Sequence, residues 1–192
     1  MFRIFESISE FIRILTRRLR GQGFVTTMQW LRTVGLAWLT GRVSLRFSEV
    51  TPNILIGPQY GRFGKSKLQK AGVTASVSMR AEYDDEAYGL AMKEYSYLPT
   101  VDNTAPSIEH LQQGVEFMRG VVESGGTVYV HCGSGVGRAP TMVAAYLISQ
   151  GMSVQEAIDQ IHAARPFIRV LPSQKERLVE YEAIASGRAV RV

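Results

Sequence analysis

A chain of 192 residues with one cysteine, Cys132, and ordinary apolar and charged fractions reads as a soluble globular protein with one sizeable core. One thiol excludes an internal disulfide framework and a Cys-rich zinc site; His110, His131 and His162 are too scattered to pair as ligands, so neither a metal nor another cofactor is expected. The net charge of +5 lies at the front, where residues 1–48 hold eight arginines against Glu6 and Glu10; the remainder holds fourteen basic against fifteen acidic groups, without the basic stripe a nucleic-acid partner requires.

The first segment, MFRIFESISEFIRILTRRLR, places Phe5, Ile8, Phe11, Ile12, Leu15 and Leu19 on one helical face. A second apolar run, residues 24–43, is too short and too interrupted by Arg32 and Gly35 to span a membrane. Acidic residues and the lack of a clear cleavage site argue against a signal peptide. Three roles fit this basic extension of 1–48: helices packed on the next domain, an interfacial anchor on an anionic membrane, or an organelle-targeting peptide weakened by Glu6 and Glu10.

From Glu49 the pattern alternates. NILIG (53–57) predicts a strand, GKSKLQKAG a short helix closed by Gly72, and VTASVSM a strand. EYSYLPTV predicts a further strand ending in a loop around Asp102 and Pro106. Ser107 is placed to cap a helix through Glu123, TVYVHC is a buried strand, and a helix follows through Ser149. Ser153 and Glu156 have capping-box spacing for a helix that stops near Pro166, and Ser173 opens a last helix through Ala185. Strands alternating with helices predict an α/β domain over 49–192, with a mainly parallel central sheet flanked by helices.

The chemistry gathers at VYVHCGSGVGRAP, residues 128–140. Glycines at 133, 135 and 137 allow successive backbone N–H groups to turn inward as an anion cradle, with a helix N-terminus behind it. Arg138 supplies a planar two-pronged donor for phosphate oxygens. The same field favours the thiolate of Cys132, a nucleophile beneath a bound phosphate.

HCGSGVGR matches the H-C-x5-R signature of the cysteine-dependent protein tyrosine phosphatases, and the chain resembles their compact dual-specificity branch. VTPNILIG resembles the opening strand of that branch, YLPTVDNTAPS its general-acid loop and ARPFIRVLPSQKERLVEYE its closing segment. The resemblance covers about residues 49–186. It implies that Cys132 attacks phosphorus, that Asp102 is the general acid, and that the N–H groups of Gly133, Ser134, Gly135, Val136, Gly137 and Arg138, with the Arg138 guanidinium, bind phosphate. His131 is implied in a supporting role, orienting the loop. Asp84 and Asp85 are the competing acids, but YDDEAY reads as a solvated helix start; Gln174 resembles a polar residue found near the site in relatives, with helix surface the reading preferred for it. The chain departs from the family at Ala139, where a Ser or Thr hydroxyl commonly assists the departing sulfur, and Thr141 is the candidate substitute.

The resemblance implies a dual-specificity protein phosphatase first, acting on phosphotyrosine and phosphoserine or phosphothreonine in a cytoplasmic phosphoprotein, or at a membrane periphery. The alternatives are a lipid-phosphate phosphatase of phosphatidylglycerophosphate or phosphoinositide type, a phosphoglucan phosphatase, and a non-catalytic phosphate-binding module. The loop interior GSGVG lacks a lysine, which disfavours polyphosphoinositides.

Overall fold

The computed structural model describes residues 46–187 throughout, together with residues 12, 15, 16, 19–21, 23–29 and 31. The chain divides into two compact units, Met1–Ser44 and Leu45–Val192.

In the first unit the described residues are helical, with Thr16 donating to the Ile12 carbonyl and Thr27 to that of Gly23. Of the apolar stripe expected there, Ile12, Leu15 and Leu19 fall on described helical positions, whereas Phe5, Ile8 and Phe11 lie outside the described residues. Ile12, Leu19, Phe24 and Val25 are exposed. Among the described residues no helix is long and apolar enough to cross a membrane.

The second unit runs β1 (Ser48–Thr51), β2 (Ile54–Gly57), α1 (Arg62–Lys70), β3 (Ala75–Arg80), a 3₁₀ turn (Glu86–Tyr88), β4 (Glu94–Thr100), α2 (Ile108–Glu123), β5 (Val128–His131), α3 (Arg138–Ser149), α4 (Val154–Ala164) and α5 (Pro172–Ala185). The strands form one sheet in the order β1-β2-β5-β3-β4. β2, β5, β3 and β4 are parallel neighbours, and β1 lies antiparallel to β2 at the edge. The mainly parallel α/β architecture is therefore as expected. The opening stretch is a hairpin rather than one strand. Pro52, which has no N–H for a ladder, occupies its turn with Asn53.

Alternation along the strands separates two apolar layers. Ile54, Ile56, Val77, Val128 and Val130 pack with Leu111, Met118, Met142, Ile161 and Leu178. Leu55 and Tyr129 face the other way, against Tyr60, Leu68, Val73, Leu90 and Met92. α3 is buried along almost its whole length, which explains its run of apolar and small residues. Two of the caps expected from sequence form: the Ser107 hydroxyl accepts from the His110 N–H at 3.1 Å, and Ser153 and Glu156 make a reciprocal capping box.

Gly57, Arg80, Thr100 and His131 are the last residues of the four parallel strands. In an open parallel sheet the loops at these carboxyl ends surround the natural binding crevice.

Candidate active site

β5 delivers Cys132 to the head of this crevice, and residues 133–137 loop from it into α3. The thiol is buried, 2% exposed. Each carbonyl from Gly133 to Val136 is bonded on the outer side of the loop. Gly133 O accepts from the Gln59 N–H at 3.1 Å and Val136 O from the Arg169 N–H at 2.7 Å. Between them, Ser134 O and Gly135 O accept from the Arg165 guanidinium at 3.1 and 2.8 Å. The peptide bonds are trans, so carbonyls held outward turn the N–H groups of Ser134, Gly135, Val136 and Gly137 to the concave side. The Gly135 N–H reaches Cys132 Sγ at 3.3 Å, as that orientation requires. Gly135 has a φ of +66°, and a Cβ there would run into the Gly57 backbone, so both conformation and space demand glycine.

Arg138 opens α3, whose positive end adds to the cradle. Its guanidinium spans the ends of β3 and β4, donating to Met79 O at 3.3 Å and Thr100 O at 2.7 Å. Glu82 grips it with both oxygens, at 2.8 and 2.9 Å. Asp102 Oδ1 stands 3.0 Å from Nη2. The Arg138 hydrogen bonds, despite the opposing cost of partial burial, hold the Glu82 carboxyl down to about 2. Burial works against the charge of Arg138, but the Glu82 bonds and the nearby Cys132 and Asp102 outweigh it and raise its pKa.

The structure brings Cys132, residues 133–138 and Asp102 together. Asp102 is exposed, in a loop where Asn103 adopts a left-handed φ of +62° and donates to Asp102 Oδ2 at 3.3 Å. Two expectations require correction. Asp85 is not solvated: it is fully buried, with Oδ2 2.8 Å from Nε2 of the equally buried His131. Its other oxygen accepts from Gln59 Nε2 at 2.7 Å. Burial pushes the Asp85 carboxyl up, but the bond to His131, the charge of that ring and the Gln59 and Tyr60 bonds together bring it below its usual value. The Asp84 side chain serves the 3₁₀ turn instead, accepting from the Glu86 N–H at 3.0 Å and from the Tyr95 hydroxyl at 2.8 Å. His131 also packs edge-on to Tyr60 and stacks beside Tyr129.

Gln174 is not on the helix surface. It is 1% exposed, accepts from the Leu171 N–H and donates to Thr104 O, both at 2.9 Å, and so ties the Asp102 loop to the start of α5. The Thr141 hydroxyl donates to Gly137 O at 3.0 Å, one turn back along its own helix. Its single proton is therefore not directed at the sulfur.

Glu82, Gln59 and Arg165 are site groups that the sequence reading did not find. Glu82 bridges Arg138 and Arg80, and Arg80 reaches Gln59 at 3.2 Å, so one chain of side chains runs from Arg138 round to His131. None follows a local motif.

Residues 55–184 match the family model for the dual specificity phosphatase catalytic domain. The chain belongs to the dual specificity phosphatase family. Among its relatives in that family, phosphatidylglycerophosphatase and protein-tyrosine phosphatase 1 of Homo sapiens is 32% identical over 155 residues, covering 76% of this chain and 77% of that protein. Phosphatidylglycerophosphate phosphatase PTPMT2 of Arabidopsis thaliana is 30% identical over 146 residues, covering 73% of this chain and 64% of that protein. The crystal structure of PTPMT1 in complex with PI(5)P superposes with a TM-score of 0.68 at 30% identity, over 75% of this chain and 99% of that one. Dual specificity protein phosphatase 1 of Homo sapiens is 26% identical over 137 residues, 70% of this chain and 37% of that protein.

Proposed function

We propose that this dual specificity phosphatase hydrolyses the phosphomonoester of an anionic membrane lipid of phosphatidylglycerophosphate type, through a phosphocysteine intermediate. The observation that carries the substrate class is the extended likeness to proteins named as phosphatidylglycerophosphate phosphatases in both an animal and a plant. This moves the lipid alternative ahead of the protein substrate favoured on sequence. The loop interior, without a lysine, suits a headgroup presenting one terminal phosphate. The basic extension of residues 1–48 suits an anionic bilayer, which would make the enzyme membrane-peripheral.

In this reading the phosphate enters the cradle and replaces Asp102 on the Arg138 guanidinium. The Cys132 thiolate attacks phosphorus, forming the S–P bond as the ester P–O bond breaks. The leaving group of such a lipid is an alkoxide, too basic to depart unaided, and Asp102 gives it a proton. The inward N–H groups and Arg138 hold the equatorial oxygens as charge redistributes. Water then attacks phosphorus, Asp102 takes its proton, the S–P bond breaks and inorganic phosphate leaves. His131 supports the cradle from below, held by Asp85.

A protein substrate is the second reading, favoured by the likeness to dual specificity protein phosphatase 1 and by the second half of the human relative's name. Phosphate release by the full-length chain from phosphatidylglycerophosphate in phosphatidylcholine vesicles, compared with phosphotyrosyl and phosphothreonyl peptides, separates the two. The expected result is a kcat/KM at least tenfold higher on the lipid. Peptides hydrolysed faster than the lipid would defeat the lipid assignment and leave the phosphatase.

A further inference from the structure

The two arginines that touch the cradle have opposite surroundings. Arg138 lies on the front, compensated by Glu82 and Asp102. Arg165 lies behind, 1% exposed, and every acceptor it is shown to bond is neutral. Nε donates to Gly135 O at 2.8 Å, Nη2 to Ser134 O at 3.1 Å, and Nη1 to Arg46 O at 3.3 Å and Ser48 Oγ at 3.5 Å. The guanidinium stacks 4.5 Å from the Phe167 ring centroid. Among the described residues no carboxylate pairs with it.

A buried cation without a carboxylate is costly unless other groups reward it. Burial lowers Arg165 to about 10, which still leaves it protonated at neutral pH. Two consequences follow from its bonds. Each carbonyl it holds belongs to a peptide whose N–H points the other way: the Ser134 carbonyl fixes the Gly135 N–H, and the Gly135 carbonyl fixes the Val136 N–H. The Gly135 N–H does point to Cys132 Sγ. The aligned peptides also carry positive potential from the guanidinium towards the concave side, where thiolate and phosphate both place negative charge.

We infer that Arg165 is a positioning residue of the active site, which locks the two central peptides of the cradle inward and supplies the carboxylate-free positive charge behind them. The role assigned to the signature arginine is thereby divided. Arg138 grips the phosphate from the front, and Arg165 charges and shapes the wall the phosphate rests against. The inference rests on the reading of residues 132–138 as a phosphate cradle over a nucleophilic thiol.

The test uses the full-length chain, its Arg165→Met and Arg165→Lys variants, and two measurements that need no turnover. One is tungstate affinity by calorimetry. The other is the pH dependence of Cys132 alkylation by iodoacetamide, unambiguous because the chain has no second cysteine. Arg165→Met is expected to bind tungstate at least about tenfold more weakly and to move the alkylation midpoint up by about one pH unit, because both a charge and two oriented donors are lost. Arg165→Lys keeps a cation without the two-pronged grip, so its tungstate loss should be comparable and its alkylation shift smaller. A merely structural arginine would change neither the tungstate affinity nor the alkylation midpoint. Arg165→Met with wild-type far-UV dichroism, tungstate binding within twofold of the parent and an unmoved midpoint would overturn the inference. Should Arg165→Met not fold, Arg165→Lys decides by the same twofold limit. A parent protein that binds no tungstate defeats the phosphatase reading itself, and this inference with it.

Discussion

The front and back walls of the cradle solve opposite electrostatic problems. The front wall, built from the ends of β3 and β4, brings carboxylates: Glu82 and Asp102 on Arg138, and Asp85 beneath His131. The back wall, residues 165–169, brings N–H donors to backbone carbonyls, with Arg46 O and Ser48 Oγ accepting from Arg165 behind them. A site with only the back wall would hold phosphate tightly but could not shuttle a proton. A site with only the front wall would set the carboxylates of Glu82 and Asp102 beside a bound dianion with Arg138 alone to offset them. In the proposed reading the back wall shapes the cradle that receives the oxyanion, while the front supplies Arg138 to grip it and Asp102 to move a proton, and variants can test that division.

The largest expected effect is at the point both walls serve. Cys132→Ser replaces a thiolate by a hydroxyl that is scarcely ionised at neutral pH, so turnover should fall by about 10⁴-fold or more, while tungstate binding survives because the cradle is intact. Substantial hydrolysis by the purified variant would remove Cys132 from the nucleophile role. A loss of tungstate binding as large as the loss of turnover would mean that chemistry and affinity are not separable as the two walls suggest.

Asp102→Asn belongs to the front wall alone. It should slow an alkyl phosphate by about 10²-fold or more and an aryl phosphate with a good leaving group much less, since protonation matters most for a basic departing oxygen. Equal losses across a leaving-group series would argue against acid catalysis by Asp102. The same variant takes a formal negative charge away from Arg138, so its tungstate affinity should hold or rise.

The legible parts of this molecule were local ones. Ser107 and the Ser153–Glu156 box announce helix starts because a cap involves residues three apart. The cradle was legible because its glycines, thiol and arginine fall within seven residues, and the parallel sheet because strands and helices alternate. The back wall was not, because Arg165 meets Gly135 across 30 positions and Arg46 across 119. A lone arginine after a helix carries no sign of such partners. Asp85 and Gln174 were misread for a related reason. A polar residue is assigned to solvent unless its partner is known, and the partners of these two lie 46 and 70 positions away, at His131 and Thr104.

A smaller effect, on stability, comes from Glu82. Its carboxyl is held at about 2 in the folded protein against an ordinary 4.5. A group whose pKa is depressed by folding stabilises the fold above its unfolded value and loses that contribution as pH falls through the folded one. The melting temperature of Glu82→Gln should therefore lie below that of the parent at neutral pH, with the gap closing between pH 4.5 and 2. Glu82 is 43% exposed on its side chain, so the gap is modest and should shrink in high salt. A gap independent of pH would mean that packing, and not charge, is what Glu82 supplies to the front wall.

The smallest effect concerns the departure of sulfur in the second step. Ala139 offers no hydroxyl, and the Thr141 hydroxyl donates to Gly137 O. The shown donor to Cys132 Sγ is the Gly135 N–H, a group of the cradle that the back wall holds inward. With one donor where relatives commonly add a hydroxyl, thiophosphate hydrolysis should be the slow step. Rapid mixing with an aryl phosphate should then show a burst of phenol close to one equivalent per site. Ala139→Ser adds a second donor to a developing thiolate, worth roughly 1.5–3 kcal/mol for a hydrogen bond to a charged group. The Gly135 N–H already supplies part of that stabilisation, so the expected gain in steady-state rate is only about threefold to tenfold, with a smaller burst. Because residue 139 is fully buried, the hydroxyl has to find its partner inside the protein. A variant that melts lower and turns over no faster would show that it does not find the sulfur. Absence of a burst in the parent would go further, showing that the Gly135 N–H alone is enough to let the thiolate leave.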